Sequence, residues 1–140
     1  MNTSTYHFNA QAAFLHIETH LRHWSAEVEA KQFVVGISGG KDSAVVAALL
    51  ARIFGAEHVL GVLLPNGRQS DIRDAREVVE RLGIRSLEVN INPCFTALLN
   101  ELSPRCNISE VCCINLPARL RMATLFAIAQ CEPAAFVINT

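Results

Sequence analysis

The sequence holds five cysteines in 140 residues but no pair in C-x-x-C spacing. Cys94, Cys106, Cys112, Cys113 and Cys131 leave an odd number, and the adjacent Cys112 and Cys113 are poor partners for a single metal ion. Free thiols, several of them buried, are therefore expected, with an iron–sulfur or zinc site on Cys106, Cys112 and Cys113 as the lesser alternative. No basic block occurs and the formal net charge is −1, which argues against a nucleic-acid footprint. No apolar stretch approaches the roughly 20 residues needed to span a bilayer. The opening MNTSTYHFNAQ lacks the basic start and apolar core of a signal peptide, so the expected location is the cytoplasm. Repeats, low-complexity tracts and linkers are absent too, and one domain over residues 1–140 is expected. What is present suits a globular core: 51% of residues are hydrophobic and 18% charged, and a chain this long buries roughly two-thirds of its unfolded surface.

Periodicity divides the chain into alternating helix and strand. Residues 10–30 read as a helix with Phe14, Ile17, Leu21 and Trp24 or Val28 on one stripe. FVVGIS (33–38) is an apolar run of the kind buried on both faces of a parallel sheet. A helix from about Asp42 buries Val46, Leu49, Leu50 and Ile53 and stops at Gly55. HVLGVLL (58–64) is a second strand leading to the turn PNGRQ. Ser70 then caps a helix whose Ile72, Ala75, Val78, Val79 and Leu82 face inward. A third strand follows at 84–91, then a short helical stretch CFTALLNEL and the less regular SPRCNISEVCC. A last helix is expected from near Pro117, with Leu116, Leu120, Ala123, Ala127 and Ile128 inward, and AAFVINT (134–140) is a fourth strand. Such alternation predicts an α/β fold, a doubly wound parallel sheet with helices on both faces. Ligands of such sheets sit beyond the carboxyl ends of the strands. The glycine turn after the first strand, the PNGRQ turn and the terminal Asn139–Thr140 should share that edge.

The glycine turn is the chemical signal. Two common phosphate motifs fail on spacing: Lys41 is followed by Asp42 where G-x-x-x-x-G-K-[ST] needs a hydroxyl, and Gly36 does not open a G-x-G-x-x-G. What remains is S-G-G-K-D-S, Ser38 to Ser43. Gly39 and Gly40 let backbone N–H groups approach a pyrophosphate, and Ser38 and Ser43 can donate hydroxyls to it. Asp42 makes little electrostatic sense beside phosphates alone, but it makes sense as a ligand of a magnesium ion bridging to them.

This hexapeptide resembles the loop of the N-type ATP-pyrophosphatase superfamily, whose members split ATP between its α and β phosphates and have an adenine nucleotide alpha hydrolase-like, Rossmann-like fold. LLPNGRQSDIRDA (63–75) and INLPARLRMATLFAIAQ (114–130) are similar to segments of bacterial NAD synthetases. With GISGGKDSAVVAALLARIFGAEHVLGV, the resemblance covers most of residues 34–140 in family order. The resemblance implies a ligase of the ammonia-dependent type. It would adenylate deamido-NAD with ATP, amidate it with ammonia to NAD, and release AMP and pyrophosphate. It implies that Gly36, Ile37, Ser38, Gly39, Gly40, Lys41, Asp42 and Ser43 bind ATP, with Lys41 and Asp42 catalytic and Asp42 on magnesium. Leu64, Asn66 and Gln69 would lie near adenine and ribose, and Thr140 would touch ATP. Arg119 matches the family residue that contacts deamido-NAD. Asn115 lies four positions before it on the same helical face, whereas Arg121 points nearly the opposite way.

The resemblance further implies a homodimer, with ammonia free or delivered by a separate glutaminase. Family members continue past the equivalent of Thr140 into a second magnesium-ligating glutamate and later lysines and an aspartate. A C-terminally truncated form is therefore expected, one that binds nucleotide but makes little or no NAD. Three alternatives stay open: a nucleotide-binding fragment without catalysis, a GMP-synthetase-like domain, and a tRNA-thiolating enzyme. The last would carry a basic face and a spaced cysteine pair, and the second leaves NLPARLRM unexplained. His16, His20 and His23 share one helix face as zinc ligands can, but no Cys, Asp or Glu completes a set, so a solvated face or dimer contact is expected.

Overall fold

The computed structural model describes residues 8–68 and 72–139. The chain divides into two compact units, Met1–Ala30 and Lys31–Thr140. The first carries α1 (Ala10–Glu27), started by Asn9, whose Oδ1 accepts the Ala12 N–H at 2.9 Å. Phe14, Leu21 and Trp24 are half-buried as the stripe predicts, but Ile17 is exposed and Val28 is an exposed C-cap. The histidines are surface groups. His20 Nδ1 bonds the His16 carbonyl at 3.0 Å, and His23 lies 3.5 Å from Glu27. No cluster of three metal-ligating side chains exists among the described residues.

The second unit is the predicted doubly wound α/β sheet. Its strands are β1 (Gln32–Gly36), β2 (Val59–Leu63), β3 (Arg85–Glu88) and β4 (Ala135–Ile138). They are crossed over by α2 (Lys41–Phe54), α3 (Ile72–Leu82), α4 (Asn92–Leu102) and α5 (Glu110–Cys131). Every pairing is parallel and the order is β3-β2-β1-β4. Strands one to three step outward in one direction and the fourth lands on the far side of β1. The order therefore reverses between β1 and β4, and the loop leaving β1 emerges at that reversal.

Central position explains the composition of β1 and β2. Phe33, Val34, Val35, Val59 and Val62 are at most 1% exposed because helices cover both sheet faces. On one face α2 and α3 pack, with Phe33 and Phe54 ring centroids 4.3 Å apart. On the other, Val34, Leu60, Val62 and Leu64 meet Leu125 and Ala129 of α5. The edge strand β3 is exposed at all four residues, and Arg76 reaches from α3 to pair with Glu88 at 2.8 Å.

Three expectations need correction. The last helix starts at Glu110, not Pro117, because Ser109 accepts the Cys112 N–H at 3.2 Å and supplies a cap upstream. Pro117 thus sits inside α5, a position that costs about 3 kcal/mol in an isolated helix and is offset here by burial of its ring. Its buried row is Pro117, Leu125 and Ala129; Leu116, Leu120 and Ile128 are half-buried, while Ala123 and Ala127 are exposed. The packed face is therefore rotated by about one residue from the predicted stripe. Finally, no described cysteine is buried: four are exposed and Cys112 is intermediate. Among the described residues α5, 22 residues long, has the length and apolar composition of a membrane span, and its docked row accounts for part of that character. The predicted Ser70 cap lies outside the described residues.

Candidate active site

The loop leaving β1 extends the sheet by one bond, Ile37 N–H to the Val62 carbonyl at 2.8 Å, and then turns sharply. Gly39 makes the turn with φ of +82°, a left-handed value that a Cβ disfavours. Gly40 is the N-cap of α2 and contributes no side-chain cap, so the first amides of that helix are left to other partners. An Asp at the next turn position, Asp42, lies on the positive end of the helix.

Ser43, only 3% exposed, is the hub of this turn. Its hydroxyl donates to the Gly40 carbonyl at 3.1 Å and accepts the Ser38 N–H at 3.2 Å. The two hydroxyls are 3.1 Å apart, and the Gly40 N–H donates to Ser38 Oγ at 3.2 Å. With Ser43's proton given to Gly40, Ser38 is the donor of the hydroxyl pair. The Ser38 hydroxyl and the Gly40 N–H thus both have partners inside the turn.

A cleft of about 420 Å³ opens beside this turn at the carboxyl edge of the sheet. Gly36, Ile37, Ser38 and Ser43 form one wall, and Leu64 and Pro65 at the end of β2 continue it. Apolar Ile72 and Ala75 come from α3, Asn139 follows β4, and α5 contributes Ala118, Arg121, Met122 and Leu125. Gly36 lets α5 pack closely, since a Cβ there would stand only 3.2 Å from Leu125 Cδ1.

The structure thus gathers Gly36, Ile37, Ser38, Ser43 and Leu64 into one cleft. Gly39, Gly40, Lys41 and Asp42 belong to the same turn but do not line it; Lys41 and Asp42 are exposed and make no ion pair among the described residues. Asn66 is engaged elsewhere, accepting from Asn92 Nδ2 at 3.1 Å, while Asn90 Oδ1 accepts the Gly67 and Asn92 N–H groups at 3.0 Å. Asn115 and Arg119 are exposed on α5 and do not line the cleft. Gln69 and Thr140 lie outside the described residues. Spacing sets Arg119 and Arg121 nearly opposite and the resemblance puts Arg119 on the ligand, but Arg121 is the arginine that lines the cleft. The cause is the rotated face of α5: Arg121 falls in the i,i+4 row of Pro117, Leu125 and Ala129. The heptad of apolar residues around it carried no unambiguous signal of that rotation.

The sequence matches the NAD synthase family over residues 14–140. The NH(3)-dependent NAD(+) synthetase of Mycoplasma pneumoniae is 36% identical over 114 residues, 81% of this chain and 46% of that protein. Its counterpart in Chlorobium phaeobacteroides is also 36% identical, over 92% of this chain and 46% of that protein. The chain therefore spans about half the length of these relatives. Among solved structures, NMN synthetase from Francisella tularensis superposes with a TM-score of 0.82 at 32% identity, covering 94% of this chain and 54% of that one.

Proposed function

The chain belongs to the NAD synthase family, and from that premise we propose that it forms the ATP-binding portion of an ammonia-dependent-type NAD synthetase in the cytoplasm. The carrying observation is the cleft at the sheet reversal, walled by Gly36, Ile37, Ser38 and Ser43. Ser38 and Ser43 bring hydroxyls to a cleft of about 420 Å³ at the carboxyl edge of the sheet, where ligands of such folds sit. In the proposed reaction the nicotinate carboxylate of deamido-NAD attacks the α-phosphorus of ATP, and pyrophosphate leaves. Ammonia, free or handed over by a glutaminase, then attacks the adenylated carboxyl carbon and expels AMP.

The protein's part is positioning and charge compensation, with no covalent nucleophile. The Ser38 hydroxyl would exchange Ser43 Oγ, and the Gly40 N–H would exchange Ser38 Oγ, for phosphate oxygens, while Ser43 keeps the turn in shape from below. Lys41 adds positive charge at the mouth. Asn115 and Arg119, exposed on one face of α5, would bind deamido-NAD outside the cleft, and Gln69 and Thr140 would complete the nucleotide contacts. Asp42 suits magnesium: it is a carboxylate beside the loop with no ion-pair partner among the described residues, and magnesium is commonly held by one or two carboxylates plus substrate phosphates. When bound, the ion would neutralise phosphate charge.

Homodimerisation belongs to the same proposal. It is supported by Val111, Ile114 and Phe126, which leave 52–66% of their surface exposed along α5. Light scattering that gave a monomer at tens of micromolar would reject it. The similarity to an NMN synthetase favours one second reading, in which the same cleft serves a reaction whose product is NMN. Calorimetry with ATP, followed by turnover with deamido-NAD, magnesium and ammonium, tests the assignment. ATP binding with NAD formation supports a synthetase, and binding with NMN formed only from the mononucleotide acid supports the second reading. Binding without turnover identifies a nucleotide-binding fragment, and absence of ATP binding refutes the proposal.

A further inference from the structure

Arg121 carries a role that its position in the sequence concealed. Among the described residues that line the cleft it is the one charged side chain, and none of them is acidic. Its Nε donates to the Leu64 carbonyl at 2.9 Å, a bond joining positions 57 apart that ties α5 to the end of β2. No carboxylate among the described residues pairs with it. A guanidinium is a planar fork of five N–H donors, and fixing Nε to a backbone carbonyl fixes the plane of the other two nitrogens. A half-buried cation without a counter-ion is electrostatically costly unless a ligand supplies the negative charge.

The neighbouring groups in the cleft are the Ser38 and Ser43 hydroxyls and the Asn139 side chain, which add hydrogen-bonding capacity but no charge. A cation and hydroxyls around one space, beside the Ser38–Ser43 turn, select a phosphate-bearing ligand. We propose that Arg121 is a phosphate-contacting residue of the nucleotide site. Its Nη groups grip the phosphate chain of a nucleoside polyphosphate from α5, opposite the Ser38–Ser43 turn, while its Nε holds the end of β2 in place. This assignment rests on the nucleotide reading above and names the side chain that closes its far wall.

The test measures binding of ATP, inorganic pyrophosphate and adenosine to the unmodified chain, Arg121→Met and Arg121→Lys. A hydrogen bond to a charged group is worth about 1.5–3 kcal/mol. Arg121→Met should therefore bind ATP and pyrophosphate about ten- to a hundredfold more weakly, with adenosine unchanged. Arg121→Lys keeps the charge but loses the fork and should fall between the two. If adenosine weakens as much as ATP, Arg121 only shapes the wall through Leu64 and the assignment is wrong. If the unmodified chain binds ATP and Arg121→Met binds it equally well, this inference fails while the nucleotide reading stands. If the unmodified chain binds neither ATP nor pyrophosphate, both fall. Should Arg121→Met not fold, phenylglyoxal labelling of the unmodified chain decides. Pyrophosphate, and not adenosine, should protect Arg121 from modification, and undiminished labelling would overturn the assignment.

Discussion

Gly61 at the centre of β2 gives the sharpest test of how the sheet holds the cleft. It pairs with Val35 of β1 and Ser86 of β3, so it cannot shift along the sheet without breaking both ladders. A Cβ built there stands 2.8 Å from Val79 Cγ1, 3.1 Å from Ile84 Cδ1 and 3.2 Å from Ile37 Cγ1. All three neighbours are at most 8% exposed, so none can swing aside into solvent. Overpacking of this kind costs about 1–3 kcal/mol. The opposing effect, lower unfolded-state entropy for alanine, returns only about 0.4–1 kcal/mol. Repulsion wins, and Gly61→Ala should lose about 1–2 kcal/mol net. At roughly 4 °C per kcal/mol for a unit of this size, Tm should fall by about 4–8 °C.

Thermal and urea unfolding followed by circular dichroism measure that loss. A second variant isolates the cause. Gly61→Ala with Val79→Ala places the new methyl where the valine branch was. The pair should then be more stable than the sum of the single changes by about 1 kcal/mol or more. Because Ile72 and Ala75 of α3 line the cleft, displacing α3 should also weaken ATP binding in the single variant and restore it in the pair. A Gly61→Ala protein that melts at or above the unmodified temperature would refute the packing argument.

Ser43→Ala removes the hub of the loop, strips the partner from the Ser38 N–H and leaves the Gly40 carbonyl with the Ala44 N–H alone; a loss of about 1–2 kcal/mol is expected, and unchanged urea midpoints would show that water replaces the hydroxyl freely. Asp42→Asn should abolish the magnesium dependence of ATP binding while leaving Tm within about 2 °C, as for an exposed surface change. Equal ATP affinity of the unmodified chain with and without magnesium would remove the role given to Asp42. Hydrogen bonds from Arg76 hold the Glu88 carboxyl below its ordinary value, outweighing slight desolvation. The pair's contribution is therefore complete above about pH 4.3 and is lost as pH falls through the lowered value. Glu88→Gln should flatten the acid limb of the stability curve there, and superimposable limbs would show the pair to be thermodynamically silent.

Much of the architecture follows from short-range chemistry. FVVGI and VLGVL are apolar at every position, and a strand with that composition must be covered on both faces. Asn9 and Gly55 mark helix ends by side-chain capping and by a positive φ of +103°, both properties of a few neighbouring atoms. The S-G-G-K-D-S turn is legible for the same reason. Misreadings arose where several local signals compete. Pro117 resembles a first-turn proline, yet Ser109 caps the helix earlier. The apolar residues of α5 surround it so evenly that periodicity selects no single face. The cysteines were expected inside on composition, but their burial depends on which face of α4 or α5 is docked.

The amino-acid sequence by itself therefore determined the parallel α/β class, the glycine turn at residues 38–43 and the family, since these depend on residue types at fixed close spacing. Only the tertiary structure decided that β4 lies on the far side of β1, which puts the glycine turn at the reversal of strand order. It alone decided that Arg121 rather than Arg119 enters the cleft. A helix's rotation is set by the sheet face that it packs against, here through Leu125 at Gly36 and Arg121 at Leu64. Those contacts join positions too far apart for local periodicity to register.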